Sequence, residues 1–187
     1  MRLLEYFIYL ILKILSILPQ RIQYFLGRFL GIVFFMSFEE RREISRWNLK
    51  KCFPEKSETE IKLILKQSFI RLGESLFEFL NAFWASNKKL EKLIINFNDL
   101  KNTTNNLDPS KGKLLLFMHT PNLDFVVRAA SLFMPVSGMA RPQSNKIVDN
   151  LFKASRKKFT ERIFNPKEIL ELLNYLKIGK TCLYAPD

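Results

Sequence analysis

The apolar and polar positions divide the chain into a helical N-terminal half and a C-terminal half where strands and helices alternate. Residues 39–87 show helical periodicity, and Ser57 followed by Glu60 is a capping box that predicts a helix start. The apolar residues after this start fall largely on one side of a helix: Ile61, Leu63, Ile64, Phe69, Leu72, Leu76, Phe77 and Leu80. The polar segment 101–113, KNTTNNLDPSKGK, is predicted to be the loop between the halves.

The first 38 residues contain two apolar runs. In the first, 3–18, five polar residues at spacings of three or four would form one narrow stripe on a helix: Glu5, Tyr9, Lys13, Ser16 and Gln20. Sixteen residues rise only about 24 Å, which is less than a hydrocarbon core of about 30 Å. An inclined or half-embedded helix therefore fits better than a clean span. A cleaved signal peptide and two buried helices of a soluble protein are the alternatives.

The second run, 22–38, is followed by the charged segment 39–51, EERREISRWNLKK. A basic flank after an apolar segment indicates a cytoplasmic face. The whole chain has a formal charge of +12, which predicts an anionic partner such as nucleic acid, an acidic protein or a lipid surface. Nucleic acid is disfavoured because no recognised binding motif is present and the aromatic residues lie in apolar runs.

The C-terminal half predicts an α/β fold. KLLLFMH, VSGMARP and TCLYAP are the predicted strands, and three helices are expected, in FVVRAASLF, NKIVDNLFKASRKKF and PKEILELLNYLKIG, the last closed by Gly179. The two cysteines, Cys52 and Cys182, lack metal-ligand spacing, and with one histidine no zinc set is predicted. We interpret both cysteines as reduced thiols, and no cofactor is expected.

LFMHTPNLDF, residues 116–125, contains the single histidine, His119, and an aspartate five positions later, Asp124. Pro121 disfavours one continuous helix through both residues, but a strand–turn–helix path allows Asp124 to reach back to the imidazole. A carboxylate that orients a histidine leaves its other nitrogen able to take a proton from a hydroxyl group, which suits acyl transfer to an alcohol. Without a G-x-S-x-G elbow, direct attack by the acceptor is favoured over an acyl-enzyme. The alternative is a structural histidine beside a helix cap.

Further segments resemble the late acyltransferases of lipid A biosynthesis, the lauroyl and myristoyl transferases. HxxxxD resembles the motif of lipid acyltransferases, and NLKKCFPEKSETE, at 48–60, is similar to this family's N-L-x-x-C-F-P-E segment. ARPQSNKIVDNLFKASRKK, at 140–158, resembles its R-P-x-x-N block. LNYLKIGKTCLYAPD, at 173–187, resembles its L-K-x-G strand that leads to A-P-D. The segments occur in the family's order.

The resemblance implies that His119 and Asp124 form the catalytic dyad. The family usually has Glu at the second position and Gly-Asn-Trp between, whereas this chain has Asp124 and retains only Asn122, which is assigned with the substrate-binding residues. The shorter aspartate requires a closer approach to the imidazole. This substitution affects the expected rate more than the expected role.

Three more residues are implied to bind the substrate. Arg156 matches the family's functional arginine, and a guanidinium fork suits lipid phosphates; the alternative is a solvated basic helix end. Asp187 matches the aspartate of the P-D-Q motif, and the alternative is a strand end. Arg141, before Pro142, either anchors a turn or contacts the acceptor.

The implied fold is a helix-covered mixed sheet of the glycerolipid-acyltransferase type. Residues 1–38 are expected to be membrane-associated helices, and residues 39–187 an acyltransferase domain that is incomplete at its C-terminus, as a fragment or a truncated product, because the family's chain continues further. The implied reaction moves an acyl chain from acyl carrier protein to a hydroxyl of a lipid A precursor, at the cytoplasmic face of the inner membrane, where anionic lipid is a further partner. A glycerophospholipid acyltransferase and an inactive membrane-bound remnant are the alternatives.

Overall fold

The computed structural model describes residues 3–186, with the backbone alone for residues 3–5 and 147. Its helices are α1 (Leu3–Ile17), α2 (Gln20–Ser37), α3 (Glu39–Cys52), α4 (Glu58–Trp84), α5 (Asn87–Leu93), α6 (Phe97–Asn105), α7 (Leu123–Ala130), α8 (Lys146–Arg156) and α9 (Ile169–Lys177). Its strands are β1 (Lys113–Leu116), β2 (Ser137–Met139), β3 (Ile163–Phe164) and β4 (Thr181–Tyr184). The predicted α/β class is confirmed.

Helix α4 begins at the predicted capping box. The Ser57 hydroxyl accepts a hydrogen bond from the Glu60 amide, and the Glu60 carboxylate accepts one from the Ser57 amide at 2.9 Å. These two bonds satisfy amide groups that a helix start leaves without partners. The hydroxyl and amide of Ser57 also lower the pKa of the Glu60 carboxyl, the amide having the larger effect.

Helices α2 and α4 meet at three glycines. A Cβ atom placed on Gly73 would lie 2.1 Å from the Gly27 carbonyl oxygen and 2.5 Å from the Gly31 amide nitrogen. No side chain fits in that gap, so the two backbones are in direct contact. The buried Glu74 beside this crossing accepts a 2.7 Å hydrogen bond from Arg71, and Arg28 of α2 lies 3.7 Å away.

The turn between α1 and α2 is held by side chains from elsewhere in the chain. The Gln23 amide group donates to the Leu15 and Ser16 carbonyls at 3.0 Å, and the Lys89 ammonium donates to the Ser16 carbonyl at 2.7 Å. Asn81 of α4 donates to the Gln23 side-chain oxygen at 2.9 Å. Two of the last carbonyls of α1, those of Leu15 and Ser16, are therefore satisfied inside the protein, and the turn is fixed to α4 and α5.

The strands form one sheet in the order β1-β4-β2-β3, and each described pairing is parallel. The expectation of a mixed sheet is wrong for the described residues. Helices α7, α8 and α9 connect successive strands, and such crossovers return the chain to the same end of the sheet. All four carboxyl ends therefore lie at one edge, where open α/β sheets carry their functional groups.

Helix α9 covers one part of this sheet. Phe164, Leu172 and Cys182 are buried together, with Tyr175 packed against them. At the amino end of β2, the Ser137 and Tyr175 hydroxyls are 2.7 Å apart, and Tyr175 donates to Glu161 at 2.6 Å. This hydrogen bond is the main cause of a lowered pKa of the Glu161 carboxyl. It ties α9 to the edge opposite the carboxyl ends.

The structure differs from the sequence analysis in two further segments. Residues 101–105 of the predicted loop belong to α6, where Thr103 and Thr104 donate hydrogen bonds to carbonyls four residues earlier. The short strand β3 was not predicted, because two residues are too few to show an alternating pattern. The other predicted strands and helices of the C-terminal half are confirmed.

Among the described helices, no single one is both long and apolar enough to cross a membrane. Helices α2 and α3 reach the necessary length and composition only together, and a bend of 92° separates them.

Candidate active site

The loop that carries His119 leaves β1 at the carboxyl edge of the sheet. The Phe117 amide donates to the Tyr184 carbonyl at 3.0 Å, which extends the pairing with β4 by one residue. The chain then turns, with the Leu123 amide donating to the Thr120 carbonyl at 3.2 Å. Helix α7 starts only at Leu123, as expected from Pro121. The His119 side chain is exposed beside the strand ends.

His119 and Asp124 line the same cavity, which has a volume of about 350 Å³. Arg141, after β2, and Arg156, at the end of α8, also line it. Apolar side chains complete the wall, among them Val127 and Met139. Four of the six proposed site residues therefore meet in one place, although up to 37 positions separate them in the sequence.

Asp124 and Arg156 form a two-point ion pair. The Arg156 Nε atom donates to Oδ1 of Asp124 at 2.6 Å, and Nη2 donates to Oδ2 at 2.9 Å. The side chains are only 12% and 19% exposed. Removing either partner would leave a poorly solvated charge, which typically costs about 3–5 kcal/mol. Asp124 also lies in the first turn of α7, where the helix dipole favours an anion.

The aromatic ring of Phe152 lies against Arg156 and was not singled out from the sequence. The guanidinium carbon of Arg156 is 4.6 Å from the centre of this ring. Both residues are on α8, four positions apart, and side chains at this spacing share a helix face. That spacing is the signal in the sequence from which the contact could have been inferred.

The other proposed site residues have different surroundings. The Asn122 side-chain oxygen accepts a 2.8 Å hydrogen bond from Thr120, and Asn122 lines a separate cavity of about 310 Å³ with Tyr24 and Phe125. Asp187 lies outside the described residues. The structure therefore does not bring Asn122 into the cavity of His119.

The segment that carries Arg141 is held against α8. Asp149 accepts a 2.9 Å hydrogen bond from the Gln143 amide and pairs with Lys153 at 2.7 Å. Lys153, and then the Gln143 amide, lower the pKa of the Asp149 carboxyl. A neighbouring cavity of about 370 Å³ shares Arg141 and Arg156 with the first, so polar groups continue beyond the His119 cavity.

The residues of this cavity define the chemistry open to it. Within residues 3–186, no group of three or more His, Cys, Asp or Glu side chains is placed to hold a metal ion. A neutral imidazole can accept a proton from a hydroxyl group, and the same cavity contains two guanidinium groups, of which that of Arg156 is paired with Asp124. A site with a base, a carboxylate and cations suits proton abstraction from an alcohol near an anionic group.

The structure defines an α/β protein with a polar cavity at the carboxyl edge of its sheet, and comparison with known proteins identifies the family. The family model of the bacterial lipid A biosynthesis acyltransferases matches residues 1–187 of this sequence. The chain belongs to this family, which confirms the resemblance read from the ordered segments.

Three relatives describe the extent of the similarity. The lipid A biosynthesis lauroyltransferase of Escherichia coli is 27% identical over 172 residues, covering 91% of this chain and 55% of the relative. The lipid A biosynthesis acyltransferase of Haemophilus influenzae is 27% identical over 151 residues, covering 80% and 47%. The lipid A biosynthesis palmitoleoyltransferase of Escherichia coli is 24% identical over 170 residues, covering 91% and 55%. The chain spans about half the length of these relatives.

Proposed function

We propose that this chain is an acyltransferase that moves a fatty acyl chain from acyl carrier protein to a hydroxyl group of a lipid A precursor, with His119 as the base. The observation that carries the proposal is the shared cavity of His119, Asp124, Arg141 and Arg156 at the carboxyl edge of the sheet. The relatives are named lipid A biosynthesis transferases, which supports the choice of acceptor.

In the proposed reaction, His119 takes the proton of the acceptor hydroxyl while the hydroxyl oxygen attacks the thioester carbonyl carbon. The tetrahedral intermediate collapses, the carbon–sulfur bond breaks, and the thiolate of the carrier receives the proton from the imidazolium. The products are the ester and the free thiol, and His119 is neutral again. General base catalysis of this kind typically contributes about 10²–10⁴-fold to the rate.

The other residues are proposed to orient His119 and to bind the acceptor. Asp124 stabilises the imidazolium that forms when His119 takes the proton. Arg141, Arg156 and Asp187 contact the acceptor, and the two arginines suit a phosphorylated sugar because guanidinium groups bind phosphate oxygens through charge-assisted hydrogen bonds. Asn122 contributes by accepting a hydrogen bond from the Thr120 hydroxyl, which shapes the loop that carries His119.

A lipid surface is proposed to bind the N-terminal helices, residues 1–38. Side chains on the outer faces of α1 and α2 are large, apolar and exposed: Tyr6, Phe7, Ile14, Ile17, Phe25, Phe29 and Met36. Polar residues of the same helices, Ser16 and Gln23, are buried against the rest of the protein. This is the reverse of a helix on a soluble protein, where polar residues face outward. It supports helices whose apolar faces contact lipid.

We propose that residues 39–187 form the acyltransferase domain, at the cytoplasmic face of the inner membrane. The surplus of positive charge, +12 over the whole chain, supports binding to anionic lipid and to an acidic carrier protein. A basic surface near the lipid would bring the donor and the acceptor to the same side of the protein.

Acyl transfer by the purified chain tests the reaction. The chain is purified in detergent and mixed with acyl-loaded acyl carrier protein and a lipid A precursor, and the acylated product is measured by mass spectrometry. His119→Ala is expected to lower the rate by about 10²–10⁴-fold. Met118→Ala is the matched control, because this neighbouring side chain is 82% exposed and does not line the cavity.

Three outcomes would contradict the proposal. Equal product from the original chain and His119→Ala would exclude the base. Product formed only with glycerol phosphate as the acceptor would indicate a glycerophospholipid acyltransferase. No product with either acceptor would favour a membrane-bound remnant.

Vesicle flotation tests the lipid contact separately. The chain is expected to float with vesicles that contain phosphatidylglycerol and less with phosphatidylcholine alone, because anionic lipid adds electrostatic attraction. Replacing Phe25 and Phe29 with serine is expected to reduce flotation, whereas Ile95→Ser should not, although Ile95 is 99% exposed. Equal flotation of both variants would exclude α2 as the contact surface.

A further inference from the structure

Arg156 is contacted on its edge and on its face. Its Nε and Nη2 atoms, which form one edge of the guanidinium group, donate to the two oxygens of Asp124. The ring of Phe152 lies against the guanidinium group with 4.6 Å between the guanidinium carbon and the ring centre. A guanidinium group can bind phosphate through this edge. In Arg156 the edge is already bonded to Asp124.

The Phe152 ring is itself anchored in the helical half of the protein. Its centre lies 4.8 Å from the Phe79 ring and 5.8 Å from the Phe83 ring, both on α4. Phe83 is buried, and its ring centre is 4.2 Å from that of Phe79. The Phe152 ring that contacts Arg156 is therefore packed against the longest described helix rather than against a surface loop.

We infer that Phe152 is a positioning residue: its ring holds the guanidinium group of Arg156, which in turn fixes the Asp124 carboxylate at the His119 cavity. A cation over an aromatic face is attracted by the ring quadrupole, most strongly where water is excluded. Arg156 meets this condition because its side chain is mostly buried. The effect on turnover rests on the proposed function, whereas the effect on Arg156 itself does not.

This positioning role of Arg156 differs from the acceptor contact proposed for it above. If Arg156 mainly bound an acceptor phosphate, removing the Phe152 ring would weaken acceptor binding and raise KM. If Arg156 mainly positions Asp124, the same change would lower kcat and leave KM for the acceptor nearly unchanged. The two roles therefore predict different kinetic results for the same variant.

The first test measures the Arg156 side chain directly, without any activity. The full chain, labelled with ¹⁵N-arginine and held in detergent, is examined by NMR, and the Arg156 Nε–H signal is assigned by its loss in Arg156→Lys. Phe152→Leu is expected to speed hydrogen exchange at this Nε–H by about tenfold, in line with the usual strength of a buried cation–ring contact. Phe152→Tyr, which keeps the ring, is expected to preserve the slow exchange.

Controls separate this effect from general loosening of the protein. Arg162 lies 4.4 Å from the Phe164 ring and pairs with Glu171, so its Nε–H is an internal reference that Phe152→Leu should not change. Phe97→Leu removes a ring from a different pair, 4.8 Å from Phe133, and should leave Arg156 unaffected. Unchanged exchange at Arg156 in Phe152→Leu, or equal changes at Arg156 and Arg162, would overturn the inference.

The second test applies to the acyl transfer assay. Phe152→Leu is expected to lower kcat about tenfold with KM for the acceptor within about twofold, and Phe152→Tyr to restore kcat. A raised KM with kcat unchanged would overturn the positioning role, as would wild-type kcat in Phe152→Leu. If the original chain makes no product, the proposed function fails, and the exchange measurement still decides whether Phe152 holds Arg156.

Discussion

The contact between α2 and α4 allows a quantitative prediction for Gly73→Ala. In a helix, alanine is favoured over glycine by about 1 kcal/mol, so without tertiary contacts the variant would be more stable. The new Cβ would lie 2.1 Å from the Gly27 carbonyl oxygen, 2.5 Å from the Gly31 nitrogen and 2.8 Å from the Gly31 Cα. All three are backbone atoms, so relief requires that α2 moves as a whole.

The magnitude follows from the balance of these two effects. Overpacking typically costs about 1–3 kcal/mol, and the upper end applies here because no flexible side chain can yield. Subtracting the propensity gain leaves a net loss of about 2 kcal/mol in the free energy of unfolding. For a chain of this size, that loss lowers the melting temperature by roughly 4–8 °C.

Thermal unfolding followed by circular dichroism, at fixed detergent concentration, measures the shift. Gly138→Ala is the matched control, since the nearest atom to its added Cβ, the Leu183 carbonyl oxygen, would be 3.9 Å away. We expect its melting temperature to stay within about 2 °C of the original, as for a substitution without a clash. A Gly73→Ala variant that melts at or above the original temperature would refute the reasoning, because helix propensity would then outweigh the backbone contact.

Two further predictions concern the start of α4 and a buried thiol. Ser57→Ala removes the capping acceptor of the Glu60 amide and should cost about 1 kcal/mol in chemical denaturation, whereas Ser68→Ala, at an exposed position inside α4, should cost less. Burial raises the pKa of the Cys182 thiol from 9.0 to about 11. The unfolded thiol therefore ionises first, and stability should fall as pH rises from about 9 to about 11, less so in Cys182→Ala. An equal slope for both proteins would contradict this.

Much of the fold could be predicted from local patterns. Three features depend on only a few adjacent residues, and each was correctly predicted. They are the capping box, the strand before His119, and Gly179 after α9, which has a φ of +82°. The exposed face of α4 was predicted less well. Leu63, Leu72 and Leu76 were placed on the apolar side but are 38–59% exposed, whereas Leu65 and Ile70 are buried. Apolar residues surround this helix, and which of them are buried depends on where α2 and α7 pack.

The candidate active site could likewise be predicted only in part from local patterns. Strand ends at one sheet edge predict that His119 and Arg141 lie near each other, because parallel strands end together. The ion pair between Asp124 and Arg156 joins residues 32 positions apart, and it depends on how α7 and α8 are arranged around the sheet. No local spacing records that arrangement. The two-point bond therefore required coordinates, whereas the contact of the Phe152 ring with Arg156 follows from their spacing of four positions on α8.

The strand order has a consequence for synthesis on the ribosome. Strand β4 lies between β1 and β2, and its residues are made last of the four. The emerging chain can form α2 and α4 early, but β1 and β2 remain without their shared neighbour until residues 181–184 leave the exit tunnel. Contacts between distant segments form slowly, because a long loop must close first. Among the described elements, the sheet edge that carries His119 is thus the last to assemble, after α1 to α6 have left the tunnel.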